Sequence, residues 1–237
     1  MRIWKLVVLA VMMALCPVIA WAGSDATFKS DDITLFVFGD SLTSGYGLPQ
    51  SDSFPVKLEA ALRNKGYHVN VINGGVAGDT TATALARLKW SLPKNVDAAI
   101  VELGANDAFR GGNPGDMRKN LDAIIDILKA RGIPVLLAGM LAPPNLGPSY
   151  TDDFDGSFRA LAEKHDVLLY PFFLEGVAMN DKLNQEDHIH PNPKGVEIVV
   201  AHMLPTVERL LDEVKARRDG KDATILPTGK AVEPAGP

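Results

Sequence analysis

The chain predicts an α/β fold, a three-layer α/β/α sandwich around a five-stranded parallel sheet. Three observations predict it. Short apolar runs alternate with longer stretches of helical spacing, in the order βαβαβαβαβ with a closing helix. Most of the short runs are apolar throughout rather than half polar, as strands covered on both faces are. About 215 residues follow an export-like N-terminus, enough for one domain with a full core.

The elements follow in order. "ITLFVF" (Ile33 to Phe38) reads as a buried strand. "FPVKLEAALRNKG" places Phe54, Leu58 and Leu62 on one helical face, and Gly66 stops it. "YHVNVI" (Tyr67 to Ile72) is strand two, and the glycine-rich turn "NGGVAGDT" follows. "TTATALARLKW" has Leu85 and Leu88 at helical spacing behind capping threonines. "VDAAIVELG" (Val96 to Gly104) is strand three. The next helix carries Leu121, Ile124, Ile125 and Leu128 on one stripe. "IPVLLAGM" is strand four, "DDFDGSFRALAEKH" a helix despite Gly156, and "VLLY" strand five. The stretches "LAPPNLGPSY" and Pro171 to Pro191 read as long loops. The last helix starts near Pro193, with Asn192 as its cap.

The two ends read differently from the middle. Residues 1–22 form an export signal: Arg2 and Lys5, then "LVVLAVMMAL", then the small-x-small site "AWA". The apolar stretch is short for a membrane span, and no other stretch is long and apolar enough for one. The expected domain covers 30–215. The tail, 219–237, is rich in Pro, Gly and Thr, lacks apolar periodicity, and is expected to be disordered. Without the signal the chain has 22 basic and 29 acidic residues, a formal −7, which argues against nucleic acid or acidic membranes as partners. The one cysteine, Cys16, lies in the signal, so a mature chain would have neither thiol chemistry nor a disulfide. The basic clusters Arg87–Lys89 and Lys215–Arg218 read as solvated helix faces.

In a parallel sheet, ligands bind beyond the carboxyl ends of the strands. Strand one ends in "GDS" (Gly39 to Ser41), strand two in "NGGVAGDT", strand three in "GANDAFRG", and strand five leads to "QEDHIHPN". Topology therefore gathers Ser41, Gly78, Asn106, Asp187 and His190 along one edge. Acyl transfer needs a nucleophile, a base and donors for an oxyanion, and this set contains those types. Ser41 would be the nucleophile, or only a turn residue. Asp187 and His190, three apart, fall on one side of a tight turn, so Asp187 could hold the ring whose other nitrogen serves Ser41. His188 is the competing base, less well placed against Asp187. Asn106 offers an amide donor and Gly78 a bare backbone N–H, though Asn106 could bridge loops and Gly78 only permit positive φ. Glu102, inside an apolar strand, must be paired, exposed or protonated, and reads as a supporting hydrogen-bond residue.

Other chemistries fit poorly. The five histidines are scattered, no HExxH-type pattern occurs, and "NGGVAGDT" lacks both a P-loop lysine and dinucleotide-fingerprint spacing.

Four blocks, "FGDSLTSGYG", "NGGVAGDTTATALARL", "VELGANDAFRG" and "EDHIHPNPKG", resemble those of the SGNH (GDSL-type) hydrolases. The resemblance spans Ile33 to Leu211 and is strongest to the bacterial periplasmic thioesterase I/protease I/lysophospholipase group, often labelled arylesterase. It implies the flavodoxin-like fold of that superfamily. It implies Ser41, Asp187 and His190 as catalytic residues, and Ser41 N–H, Gly78 and Asn106 as the oxyanion hole. It implies a two-step serine hydrolase of carboxylic esters and thioesters: aryl esters, short- to medium-chain acyl esters, and lysophospholipids. No metal or organic cofactor is implied. The loops Gly104 to Asp116 and Leu141 to Tyr150 are expected to line the acyl site, with Asp40, Asp107, Ala108, Phe109, Leu146 and Gly147 as substrate contacts. The expected enzyme is a monomer in the periplasm or secreted, without stable membrane insertion once the signal is cleaved. Two competing readings are a carbohydrate O-deacetylase and a non-catalytic acyl- or glycan-binding module on the same fold.

Overall fold

The computed structural model describes residues 32–220. The expected signal, Cys16 within it, and the tail beyond Gly220 lie outside the described residues.

Five strands, β1 (Ile33–Gly39), β2 (Val69–Asn73), β3 (Ala98–Glu102), β4 (Val135–Ala138) and β5 (Leu168–Tyr170), pair in parallel in the order β2-β1-β3-β4-β5. Every residue of β3 and β4 is buried, and β1 is buried except at Thr34. That is why these runs carry no polar alternation: helices cover both faces of the sheet. The helices are α1 (Ser41–Ser44), α2 (Phe54–Asn64), α3 (Thr81–Ser91), α4 (Ala105–Phe109), α5 (Pro114–Ala130), α6 (Pro148–His165) and α7 (Pro193–Arg218). Helix α2 packs on α7, while α5 packs on both α3 and α6, giving the two outer layers.

From β1 the chain runs outward to β2, then returns to lay β3 on the other side of β1. This reversal sends the connections to opposite sides of β1, the arrangement in which parallel sheets bind ligands beyond a strand's carboxyl end. The register sets Gly39 beside Glu102, and Val37 beside Asn73. The turns after β1, β2 and β3 therefore emerge side by side.

Local chemistry fixes where the helices begin. Thr80 and Thr83 form a reciprocal capping box on α3. Asn113 caps α5 and Asn192 caps α7, each followed by proline at the first helical position. Helix α6 departs from expectation. It starts at Pro148 rather than near Asp152, because one of the three prolines in "LAPPNLGPSY" sits where its missing N–H is harmless. The single-turn helices α1 and α4 carry no periodic signal and were invisible in the sequence.

Candidate active site

The site is built on the turn after β1. Gly39 must be glycine there: a Cβ would fall 2.1 Å from the Thr43 hydroxyl and 2.7 Å from the Glu102 carbonyl oxygen. Asp40 accepts the N–H of Leu42 at 3.0 Å and caps α1, so Ser41 begins a helical turn at the strand's end. Gly45, at φ 80°, ends that turn after four residues.

The loop before α7 brings the second half of the site. Asp187 Oδ1 accepts the N–H groups of Ile189 and His190, each at 3.0 Å, and so folds the chain back on itself. Its other oxygen lies 2.6 Å from His190 Nδ1, and His190 Nε2 lies 2.9 Å from Ser41 Oγ. Gln185 Nε2 donates to the Tyr46 carbonyl at 2.8 Å, and the Tyr46 and His190 rings lie 4.9 Å apart. The histidine loop is thereby fastened to the turn that carries Ser41.

Electrostatics give these contacts direction. Burial works to raise the Asp187 pKa, but the His190 N–H, the His190 ring and the Ile189 N–H outweigh it and hold it at about 2. An ionised Asp187 keeps the imidazole proton on Nδ1 and turns the Nε2 lone pair toward the Ser41 hydroxyl. His188 is turned elsewhere: its backbone is left-handed at φ 59° and its Nδ1 lies 3.0 Å from Asp181.

Asn106 sits in α4, directly beyond β3. Its side-chain amide donates to Asp40 Oδ2 at 3.1 Å and to the Asp79 carbonyl at 3.0 Å. It thus bridges the Ser41 turn and the loop after β2. Gly78, at φ 84°, precedes Asp79, and its carbonyl accepts from Arg110 at 2.8 Å. The structure therefore joins Ser41, His190 and Asp187 directly, and brings Asn106 beside the residues flanking Ser41 and Gly78.

Behind this surface lie two buried carboxyls. Burial raises Asp40 to about 6, against the pull of the Leu42 N–H, the Asn106 amide and the charge of His190. Burial, then the neighbouring Asp40, push Glu102 well above the ordinary range. One Glu102 oxygen accepts from the Thr43 hydroxyl at 2.8 Å and the other has no hydrogen-bond partner, as suits a neutral acid.

Three of the expected substrate contacts are corrected. Asp40 is fully buried and its oxygens are spent on Leu42 and Asn106. Asp107 is buried against the N–H and hydroxyl of Thr81, at 2.8 and 2.6 Å. Ala108 is buried in the core. These side chains brace the site from behind instead of facing a ligand. Phe109 does face solvent, 57% exposed. Leu146 and Gly147 lead into α6, where the Tyr150 hydroxyl donates to the Gly112 carbonyl at 2.7 Å and ties the two expected acyl loops together.

Arg87 is a further correction. It is buried rather than solvated, with its guanidinium over the Phe38 ring and paired to Asp79. A signal was available: Ala84, Arg87 and Leu88 stand at the i, i+3, i+4 spacing of a buried helical stripe.

In sequence and fold the chain is similar to known hydrolases. A sequence model of the GDSL-like Lipase/Acylhydrolase family matches residues 37–198. The chain is 42% identical over 161 residues to the arylesterase of Vibrio mimicus, covering 68% of this chain and 80% of that one. It is 33% identical over 180 residues to thioesterase 1/protease 1/lysophospholipase L1 of Escherichia coli, covering 76% and 85%. The crystal structure of AlinE4, an SGNH-hydrolase family esterase, superposes with a TM-score of 0.65 at 48% identity, covering 77% of this chain and 98% of that one.

Proposed function

The chain belongs to the GDSL-like lipase/acylhydrolase family and is a carboxylic ester hydrolase, and we propose that Ser41 is its nucleophile, His190 its general base and Asp187 the orienting carboxylate. The observation that carries this reading is the continuous relay from Ser41 Oγ to His190 Nε2 at 2.9 Å, and from His190 Nδ1 to Asp187 at 2.6 Å.

The chemistry follows from that relay. As Ser41 Oγ attacks the acyl carbon, its proton passes to Nε2, and the ionised Asp187 stabilises the imidazolium that forms. The Ser41 and Gly78 N–H groups and the Asn106 amide take the developing oxyanion. In the resting state Asn106 spends its two amide hydrogens on Asp40 and the Asp79 carbonyl, so one of these bonds gives way as the oxyanion forms. His190 returns its proton to the leaving alcohol or thiol, then activates a water that releases the acid. Every proton in both steps is carried by these side chains and one water.

The substrates are aryl esters, short- to medium-chain acyl esters and thioesters, and lysophospholipids. Supporting this, Tyr46, Val76, Phe109 and Ile189 are exposed apolar groups on the segments that carry the site. We also place the enzyme in the periplasm or outside the cell, acting as a monomer; the charged start, apolar stretch and "AWA" of residues 1–22 support export. The test is initial rates on p-nitrophenyl esters from acetate to palmitate, for the parent and Ser41→Ala side by side. Turnover in the parent and its loss in the variant is the expected result. Equal rates would remove Ser41 as the nucleophile.

A further inference from the structure

Three segments converge on the oxyanion side of Ser41, and two backbone bonds, from Gly74 N–H to the Val37 carbonyl and from Val76 N–H to the Gly39 carbonyl, join the first two there. The first is the end of β1, at Gly39. The second is the loop from Gly74 to Asp79. The third is α4, which carries Asn106. Something must hold their relative positions, since an oxyanion donor displaced by a fraction of an ångström loses most of its effect.

We propose that Arg87 is the positioning residue of the oxyanion site: its buried guanidinium locks the end of β1 to both ends of the Gly74–Asp79 loop, and through Asp79 to Asn106. One terminal nitrogen donates to the Gly39 carbonyl at 3.1 Å and to the Gly74 carbonyl at 2.9 Å. Nε donates to Asp79 Oδ2 at 2.5 Å. The same Gly39 carbonyl also accepts the N–H of Val76 at 3.1 Å, so loop and strand end are pinned at a shared atom. The other Asp79 oxygen accepts the Thr83 hydroxyl at 2.9 Å, and its backbone carbonyl accepts the Asn106 amide. Gly39 stands two residues before Ser41, and Asp79 directly follows Gly78. A single cation therefore governs the spacing of all three oxyanion donors without touching the reacting atoms.

The choice of side chain fits this role. A guanidinium is a planar fork with five N–H donors and can serve two carbonyls and a carboxylate at once, whereas a lysine ammonium on a flexible stem cannot reproduce that geometry. A buried ion pair is weak evidence for stability, since desolvation offsets most of its Coulomb energy. The arrangement is better accounted for by the geometry it enforces. The inference rests on the oxyanion assignment made above.

The experiment uses Arg87→Lys and, as a milder change to the same link, Asp79→Asn. Active sites are first counted by the burst of p-nitrophenol released by diethyl p-nitrophenyl phosphate, so that unfolded protein drops out. Then kcat and KM are measured with p-nitrophenyl butyrate, and the inhibition constant with butylboronic acid, whose tetrahedral adduct on a serine mimics the oxyanion. The expected result is kcat per active site lowered about 10- to 100-fold, KM within about twofold, and boronate affinity weakened in parallel with kcat. Asp79→Asn should show the same split at smaller amplitude. A purely structural role predicts fewer active sites, each with unchanged kcat and boronate affinity, and that result in either variant would overturn the proposal. Boronate affinity that survives in Ser41→Ala would instead show that the adduct does not form on Ser41: the nucleophile assignment would be wrong, and the role of Arg87 beside it would fall with it.

Discussion

Replacing Asp40 by asparagine tests whether the buried carboxyl beneath the nucleophile costs the fold what its surroundings imply. In the folded chain Asp40 titrates at about 6, raised chiefly by burial, against 3.8 for an ordinary aspartate. The folded state therefore binds the proton more tightly. Its stabilising contribution is complete below 3.8 and is lost as pH rises through about 6. At about 1.4 kcal/mol per pH unit, that separation is worth about 3 kcal/mol. Asparagine cannot ionise and escapes this loss. Its carbonyl keeps the Leu42 N–H, but its NH2 would face the Asn106 NH2, so the variant forfeits one buried hydrogen bond at a cost of about 1–2 kcal/mol. The variant is thus expected to be less stable than the parent near pH 4 and more stable near pH 8, with the curves crossing in between. Relief of the neighbouring Glu102, whose pKa the Asp40 charge raises, adds in the same direction. The assay is urea unfolding followed by far-ultraviolet circular dichroism at closely spaced pH values. A stability difference that stays constant from about pH 4 to about pH 8 would refute the reasoning.

Three further outcomes are expected. Asp187→Asn should lower kcat on p-nitrophenyl butyrate by about 10⁴-fold with little change in melting temperature, because the amide NH2 faces Nδ1 and selects the wrong tautomer; a loss below tenfold would count against the relay. Gly39→Ala should destabilise by at least about 3 kcal/mol in urea titrations, since the Thr43 hydroxyl and the Glu102 backbone oxygen both occupy the space a Cβ needs. Asp166→Gly, at the exposed left-handed cap of α6 (φ 52°), should raise stability by about 0.5 kcal/mol, read as a rise in melting temperature of about 1–2 °C.

Much of the molecule was legible because its signals are local. The five expected runs became the five strands, and the caps at Thr80 and Asn192 appear where oxygen-bearing side chains precede a helical stripe. The gathering of Ser41, Gly78, Asn106, Asp187 and His190 followed from a rule of topology, that loops after parallel strands share one edge. The D-x-x-H spacing of Asp187 and His190 became a turn closed by the aspartate's own oxygen. What escaped was single-turn structure: α1 and α4 are too short to show a period, and proximity to other segments, rather than propensity, holds them helical.

The sequence by itself determined the sheet and its layering, because strand burial and helical stripes are written in the spacing of neighbouring residues, and its motifs named the groups proposed to react. Only the tertiary structure decided which polar groups around the proposed site are buried. Asp40, Asp107 and Arg87 carry charge and lie in or next to the motifs, so in one dimension they resemble ligand contacts or solvated residues. Their burial depends on partners 66, 26 and 48 positions away along the chain: Asn106 for Asp40, Thr81 for Asp107, and the Gly39 carbonyl for Arg87. A charge can be buried only where such partners replace water, and the distance between them in sequence leaves no periodic trace.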